Sequence, residues 1–179
     1  LTRREEILEL IPEFNLIESI ELRQKCLHVW ETALEAGGWE PKDLLRMPFT
    51  LLIPDVGVNI VDHTRLVTQI CVAVKEHVRR AYMNAIELND DYLVASALLH
   101  DVGKLIEIGE SEHGRFIKTR SGELLRHPIS GACMCAAEGL PEEVVHAVAC
   151  HSKEGDGQRR TPEAIIVNHA DFISFETLK

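Results

Sequence analysis

No run of apolar residues in this chain approaches the roughly 20 needed to span a bilayer, and no signal peptide opens it. The chain starts at Leu1 with no methionine, so a few preceding residues are expected to be missing, and the expectation is a cytoplasmic protein with no membrane partner. Cysteine is scarce: Cys26, Cys71, Cys133, Cys135 and Cys150 are odd in number and lie in segments that read as helix. They are expected to be reduced core thiols. Cys133 and Cys135 form a C-x-C pair, but no second pair completes a zinc site. Positive charge is also in deficit, with 19 Lys and Arg against 29 Asp and Glu and a formal net charge of −10. That balance disfavours a nucleic-acid partner. A phosphorylated small molecule is still compatible, because metals and local cations can offset an acidic surface at one site. Convincing strands, internal repeats and low-complexity segments are absent too.

What is present is one domain's length of chain, 179 residues with 45% apolar content, enough for a sizeable core. Residues 2–11 read as a short amphipathic helix stopped by Pro12. Leu16 to Ala36 reads as a longer one, with Leu16, Ile20, Leu27, Trp30 and Leu34 spaced for one face and Gly37-Gly38 as its stop. Pro41, Pro48, Pro54 and Gly57 mark residues 39–58 as an irregular connector. Asn59 to Tyr82 has helical apolar spacing, and Asn89-Asp90-Asp91 is a cap for an apolar run from Tyr92 to Leu99. Residues 103–126, punctuated by Gly103, Gly109, Gly114 and Gly122, read as a loop or lid. His127-Pro128, Pro141-Glu142-Glu143 and Thr161-Pro162-Glu163 then open three further helices, with a loop over 152–160.

The chemistry concentrates in His100-Asp101-Val102-Gly103-Lys104, at the end of the apolar run. A buried imidazole and carboxylate side by side are costly without a partner, and both are ordinary ligands for divalent metals. His63, His127 and His151 lie at or near other predicted helix ends, and Asp171 interrupts an apolar helix. Any one of them has an ordinary structural reading as a hydrogen-bonded core residue. Six such residues, each needing a separate partner in one small core, do not.

In order and spacing these residues resemble the HD-domain superfamily of metal-dependent phosphohydrolases. Its signature is a histidine, a His-Asp pair and a late aspartate, matched here by His63, His100-Asp101 and Asp171, with Gly103-Lys104 completing the common H-D-x-G-K form. Many members add two histidines, matched by His127 and His151. The resemblance runs from about Asn59 to Phe175 and does not cover residues 1–50. It implies an all-α HD-domain helical bundle, with residues 1–50 an N-terminal helical extension packed on the core and residues 51–179 the HD domain. It further implies that His63, His100, Asp101 and Asp171 bind one ion, and that Asp101 bridges to a second held by His127 and His151. The cofactors would be divalent ions, two of them, drawn from Fe, Mn, Zn, Co, Ni or Mg. Asp101 and Lys104 would be catalytic, and Lys104 would contact a substrate phosphate or the attacking water. The implied reaction is hydrolysis of a phosphate ester of a nucleotide or other small phosphorylated metabolite through a metal-bound hydroxide.

Two other readings share the ligand set. Di-iron oxygenases acting on inositol or a phosphonate belong to the same superfamily. A non-enzymatic ligand-sensing HD module is the third class, although such modules often lose ligands and this chain keeps all six. The HD-GYP branch, which cleaves cyclic dinucleotides, is disfavoured: His151 is followed by Ser152 and Asp156-Gly157 by Gln158, with no Gly-Tyr-Pro. Pro162 to Asp171 is similar to the last HD helix of the ribonuclease Y family, but no RNA-binding KH domain is visible.

Among the basic residues, Arg115, Lys118, Arg120 and Arg126 fall between the His-Asp pair and His127. They are candidates for a phosphate clamp, which suits arginine's fork geometry. Arg126, next to a ligand, is the foremost substrate-binding candidate beside Lys104, with Arg159-Arg160 a second possibility. His113 is placed in the lid, within reach of a substrate. His28 and His77 are expected to be structural, whereas His146 lies too far round its helix to share the face of His151 and His169 is expected to point away from Asp171. Substrate, metal identity and oligomeric state are not legible.

Overall fold

Leu93 through Leu99 are buried without exception, and the helix that carries them, α4 (Asp90–Leu99), is the centre of the fold. A helix that is apolar on every side is stable only when enclosed. Here α2 (Ile20–Gly37), α3 (Ile60–Tyr82), α8 (Glu142–Cys150) and α9 (Pro162–Glu176) pack around it. The computed structural model describes residues 1–179, the side chain of Asn84 excepted. The chain is an all-α bundle with one small hairpin.

Local chemistry sets the helix ends. Asn59 and Asn89 cap α3 and α4, their side chains accepting from the N–H groups of Asp62 at 2.9 Å and Tyr92 at 3.0 Å. Thr2 and Glu5 form a reciprocal capping box at α1 (Arg3–Leu10). Gly38, at φ +74°, closes α2 in the left-handed conformation that a side chain disfavours.

The start of α2 differs from expectation. It begins at Ile20, after a 3₁₀ turn over Pro12–Leu16, and both Leu16 and Ile20 are exposed. Ser19 caps the helix, its hydroxyl accepting from the Leu22 N–H at 3.3 Å, and the Asp91 carboxylate accepts from the N–H groups of Glu18 at 2.7 Å and Ser19 at 2.9 Å. Those donors are thereby held outside the helix. The buried face is carried by Leu22, Cys26, Leu27, Val29, Trp30, Ala33 and Leu34.

The segment 103–126 is more ordered than a loop. After the short α5 (Lys104–Glu107), β1 (Ile108–Glu110) pairs antiparallel with β2 (Phe116–Lys118), with Gly109 opposite Ile117. Alternation over three residues is too brief to read as strand from sequence. The turn α6 (Arg120–Leu124) and α7 (His127–Ala137) follow.

One apolar cluster runs from Ile7 in α1 to Val148 in α8 and includes both tryptophans. The buried Trp30 indole donates to the Leu98 carbonyl at 3.0 Å, and that of Trp39 donates to the Leu105 carbonyl at 2.9 Å. A smaller cluster of Val67, Cys71, Leu93, Ala97, Ile166, Val167 and Ala170 joins α3, α4 and α9. Among the described residues no helix is long and apolar enough to cross a membrane. All five cysteines are free. Cys133 faces solvent rather than the core, the one departure from the expectation of core thiols, because residues two apart on a helix point in different directions. For the same reason Cys133 and Cys135 do not converge.

Candidate metal centre

Helix ends deliver the polar residues. His63 lies in the first turn of α3, His100 and Asp101 directly follow α4, His127 opens α7 and His151 directly follows α8. Asp171 projects from the middle of α9. His63, His100 and His151 are fully buried, Asp101 and His127 almost so, and the Asp171 side chain is 14% exposed.

Two groups result, sharing one residue. His63, His100, Asp101 and Asp171 form the first, and Asp101, His127 and His151 the second; within each, one ligand atom per residue lies within 4.8 Å of the others. The Asp101 carboxylate is divided between them. Its Oδ2 faces His63 Nε2 at 3.2 Å and His100 Nε2 at 3.4 Å. Its Oδ1 faces His127 Nε2 at 3.3 Å and His151 Nε2 at 3.6 Å. Asp171 Oδ1 closes the first group, 3.2 Å from His63 Nε2.

The outer ring nitrogens define which way the lone pairs point. His100 Nδ1 donates to the Ala97 carbonyl at 2.7 Å and His151 Nδ1 to the Val148 carbonyl at 2.7 Å. His127 Nδ1 donates to the Glu107 carboxylate at 2.9 Å, and His63 Nδ1 pairs with the Ser174 hydroxyl at 2.9 Å. A carbonyl or carboxylate can only accept, so Nδ1 of His100, His127 and His151 carries the proton, which leaves Nε2 as the nitrogen that can offer a lone pair inward. Outer-shell partners of this kind fix metal-binding imidazoles.

Without a cation this interior is unsatisfied. His63 Nε2 and His100 Nε2 approach to 3.2 Å. Asp101 Oδ1 and His151 Nε2 are buried with no hydrogen-bond partner. Donors bonded to one ion at about 2.0–2.2 Å stand roughly 3.0–3.5 Å apart, close to the separations seen here. The residues therefore fit divalent metal, and each group could hold an ion. The mixed imidazole and carboxylate set suits Fe, Mn, Zn, Co or Ni.

The surrounding charge keeps the carboxylates ionised. Burial opposes charge on Asp101, yet Lys104, with Nζ 2.5 Å from Oδ2, and His100 hold it well below the usual carboxylate range. Burial likewise opposes charge on Asp171, but the bond to His63 and the nearby His100 bring it to about 2. Burial pushes His127 down to about 4 despite the Glu107 carboxylate. Burial also weighs against the charged form of His63, but Asp101 and Asp171 outweigh it and raise its pKa.

Close packing explains the glycine of the H-D-x-G-K turn. A Cβ on Gly103 would stand 2.2 Å from the His127 carbonyl oxygen and 2.6 Å from Ser130 Oγ. Only a bare backbone lets α7 bring His127 to Asp101.

Three residues at the site carry no signal in the sequence: Glu107, Ser174 and Phe49. Phe49 stacks on the His63 ring at 4.3 Å, and Lys104 Nζ lies 5.4 Å from its centroid. Phe49 comes from the irregular connector, where no periodicity marks it. Glu107 is one of four glutamates between Gly103 and Arg126, and nothing in the sequence sets it apart from the others.

The structure disperses the remaining basic candidates. Arg126 stays beside His127, its Nε 3.4 Å from Glu107 and 3.8 Å from Glu154. Lys118 reaches toward Glu107 at 3.9 Å, whereas Arg120 pairs with Glu123 on the surface. Arg115 lines a cleft of about 780 Å³ between the hairpin and residues 45–59. Arg160 is committed to the carbonyls of Cys150 and Ser152, pinning the loop after His151. His113 is exposed in the hairpin turn and belongs to neither group. His146 accepts from the Thr161 N–H at 3.4 Å and contacts Cys150.

Residues 60–175 match the HD domain family. The chain is 32% identical over 116 residues to a dihydroneopterin 2',3'-cyclic phosphate phosphodiesterase of Methanocaldococcus jannaschii, covering 63% of this chain and 45% of that protein. It is 29% identical over 161 residues to ribonuclease Y of Thermobifida fusca, covering 86% of this chain and 27% of that protein. The chain thus spans less than half the length of these relatives. No solved structure matches it.

Proposed function

The chain belongs to the HD domain family, and from that premise we propose that it is a metal-dependent phosphohydrolase using two divalent ions. The observation that carries this reading is the buried Asp101 carboxylate, whose two oxygens each face a separate pair of imidazole Nε2 atoms, with Oδ1 and His151 Nε2 unpartnered.

His63, His100, Asp101 and Asp171 would hold one ion, and His127 and His151 the other, with Asp101 bridging. Bound divalent ions supply Lewis acidity toward a phosphoryl group and lower the pKa of water toward roughly 7. The chain's own residues do the rest. Lys104 holds the bridging carboxylate through its 2.5 Å contact and presents positive charge where a phosphate would bind. Arg126, half-exposed next to His127, supplies a guanidinium for a second phosphate oxygen. Phe49 covers His63 and keeps bulk water from that side of the pair.

The substrate is a phosphate ester of a nucleotide or other small phosphorylated metabolite. The name of the archaeal relative favours a phosphodiester. A net charge of −10 weighs against a long nucleic-acid substrate. The division into residues 1–50 as an extension and 51–179 as the HD domain is part of the same reading. The shared apolar cluster, which includes Ile7, Trp30 and Leu44 beside Leu98 and Leu105, supports an extension docked on the core.

The test is reconstitution. Chelated protein should be inactive, and manganese or iron should restore hydrolysis of cyclic and linear phosphodiesters or of phosphomonoesters. Anomalous scattering from an as-purified crystal should show two ions. Iron-loaded protein that consumes oxygen with an inositol or phosphonate substrate, and hydrolyses no phosphate ester, would replace this reading with the oxygenase.

A further inference from the structure

Glu107 lies outside the six-residue ligand set yet touches it more closely than any other acid. Its Oε2 accepts from the His127 backbone N–H at 2.6 Å and from His127 Nδ1 at 2.9 Å. Its Oε1 faces Arg126 Nε at 3.4 Å and Lys118 Nζ at 3.9 Å. Two donors from His127 and two basic side chains thus converge on the one carboxylate.

The surrounding backbone is built to keep it there. The Thr119 N–H donates to the Glu107 carbonyl at 2.9 Å, and the Thr119 hydroxyl donates to the Ile106 carbonyl at 2.6 Å. A Cβ on Gly122 would stand 2.7 Å from both Cγ and the carbonyl oxygen of Glu107, so α6 can close over the residue only because position 122 is glycine.

His127 has two choices of tautomer. Protonated on Nδ1, it donates to Glu107 and turns a lone pair toward Asp101. Protonated on Nε2, it would donate to Asp101 Oδ1, 3.3 Å away and otherwise unpartnered, and could not bind metal through that nitrogen. The two states are set by competition between the outer acceptor, Glu107 at 2.9 Å, and the inner one, Asp101 at 3.3 Å. We infer that Glu107 is a positioning residue that fixes His127 as the Nδ1–H tautomer and thereby creates the second ion position. This rests on the two-ion reading above for its consequence, but not for the tautomer itself.

The experiment uses the full chain with Glu107→Ala and Glu107→Gln. In metal-free protein at neutral pH, ¹⁵N resonances of His127 should report Nδ1–H in the parent and Nε2–H in Glu107→Ala. Glu107→Gln, whose amide oxygen can still accept, should retain Nδ1–H in part. Manganese titration should show the weaker-binding ion lost by roughly 10–100-fold in Glu107→Ala, with the first ion held and Glu107→Gln between the two. If Glu107→Ala does not fold, Glu107→Gln carries both readouts. An unchanged tautomer with unchanged affinity for both ions overturns the inference. A parent protein that binds one ion only would defeat the two-ion reading, and the tautomer measurement would still decide the role of Glu107.

Discussion

Gly103 rests against the carbonyl oxygen of His127, leaving no room for a methyl group: the Cβ would be 2.2 Å away. The glycine of the motif is thus a spacing device for a ligand 24 positions further along the chain. Gly103→Ala should force α7 outward. We expect a loss of about 1–3 kcal/mol, the usual cost of overpacking, together with reduced occupancy at the His127 position and a retained first ion. Chemical denaturation and metal analysis on the same sample check both.

Asp101→Ala removes the carboxylate common to both groups. Both ions and activity should be lost together, activity by on the order of 10³-fold or more as ion-assisted water activation disappears, with the helical bundle retained by circular dichroism. Full activity in this variant would sink the proposal. His127→Ala should lower the metal count from two to one.

Arg126→Ala should leave the metal content unchanged and raise KM by about tenfold, the scale of one charge-assisted bond. A fall in kcat at constant KM would instead place Arg126 in transition-state stabilisation.

The metal-free protein should lose stability on acidification, with His127 as one identifiable source. Burial holds the folded ring neutral until about 4, whereas the unfolded chain takes up the proton near 6.5. Between these values the unfolded state binds more protons, so stability falls as pH falls. His63 acts in the opposite sense: its raised pKa contributes stability below about 6.5 that is lost as pH rises through the folded value. His127→Gln should therefore flatten the stability profile between pH 6.5 and 4. Urea unfolding of chelated protein across that range measures it, and an unaltered slope would exclude His127 as a source.

Much of the helical plan could be read from the chain because its signals are local. Asn59, Asn89 and Pro128 mark helix starts by their own side chains, and the apolar run before His100 implies enclosure. The start of α2 falls later than the apolar spacing suggests because Ser19 caps it and Asp91, more than 70 positions away, holds the N–H groups of Glu18 and Ser19. The hairpin at Ile108 is not legible because three-residue strands carry too little alternation. At the site, the six candidate ligands were recognisable by type and order, and the structure brings all six together. Their supports were not. Glu107 and Phe49 lack any periodic or motif signature, and only three-dimensional contact with His127 and His63 reveals them. Arg120 and Arg160 looked like phosphate ligands by charge alone, yet each is spent on a neighbouring surface or backbone group.

The chain has two indoles, and each donates to a carbonyl at one end of the same turn: Trp30 to Leu98, two residues before His100, and Trp39 to Leu105, one residue after Lys104. Every tryptophan in the protein is thereby wired to the segment that presents Asp101. Ultraviolet emission is then a built-in gauge of metal loading, readable without substrate, label or added probe. Titrating manganese into chelated protein should move that emission in step with the filling of the site, and Asp101→Ala should leave it still.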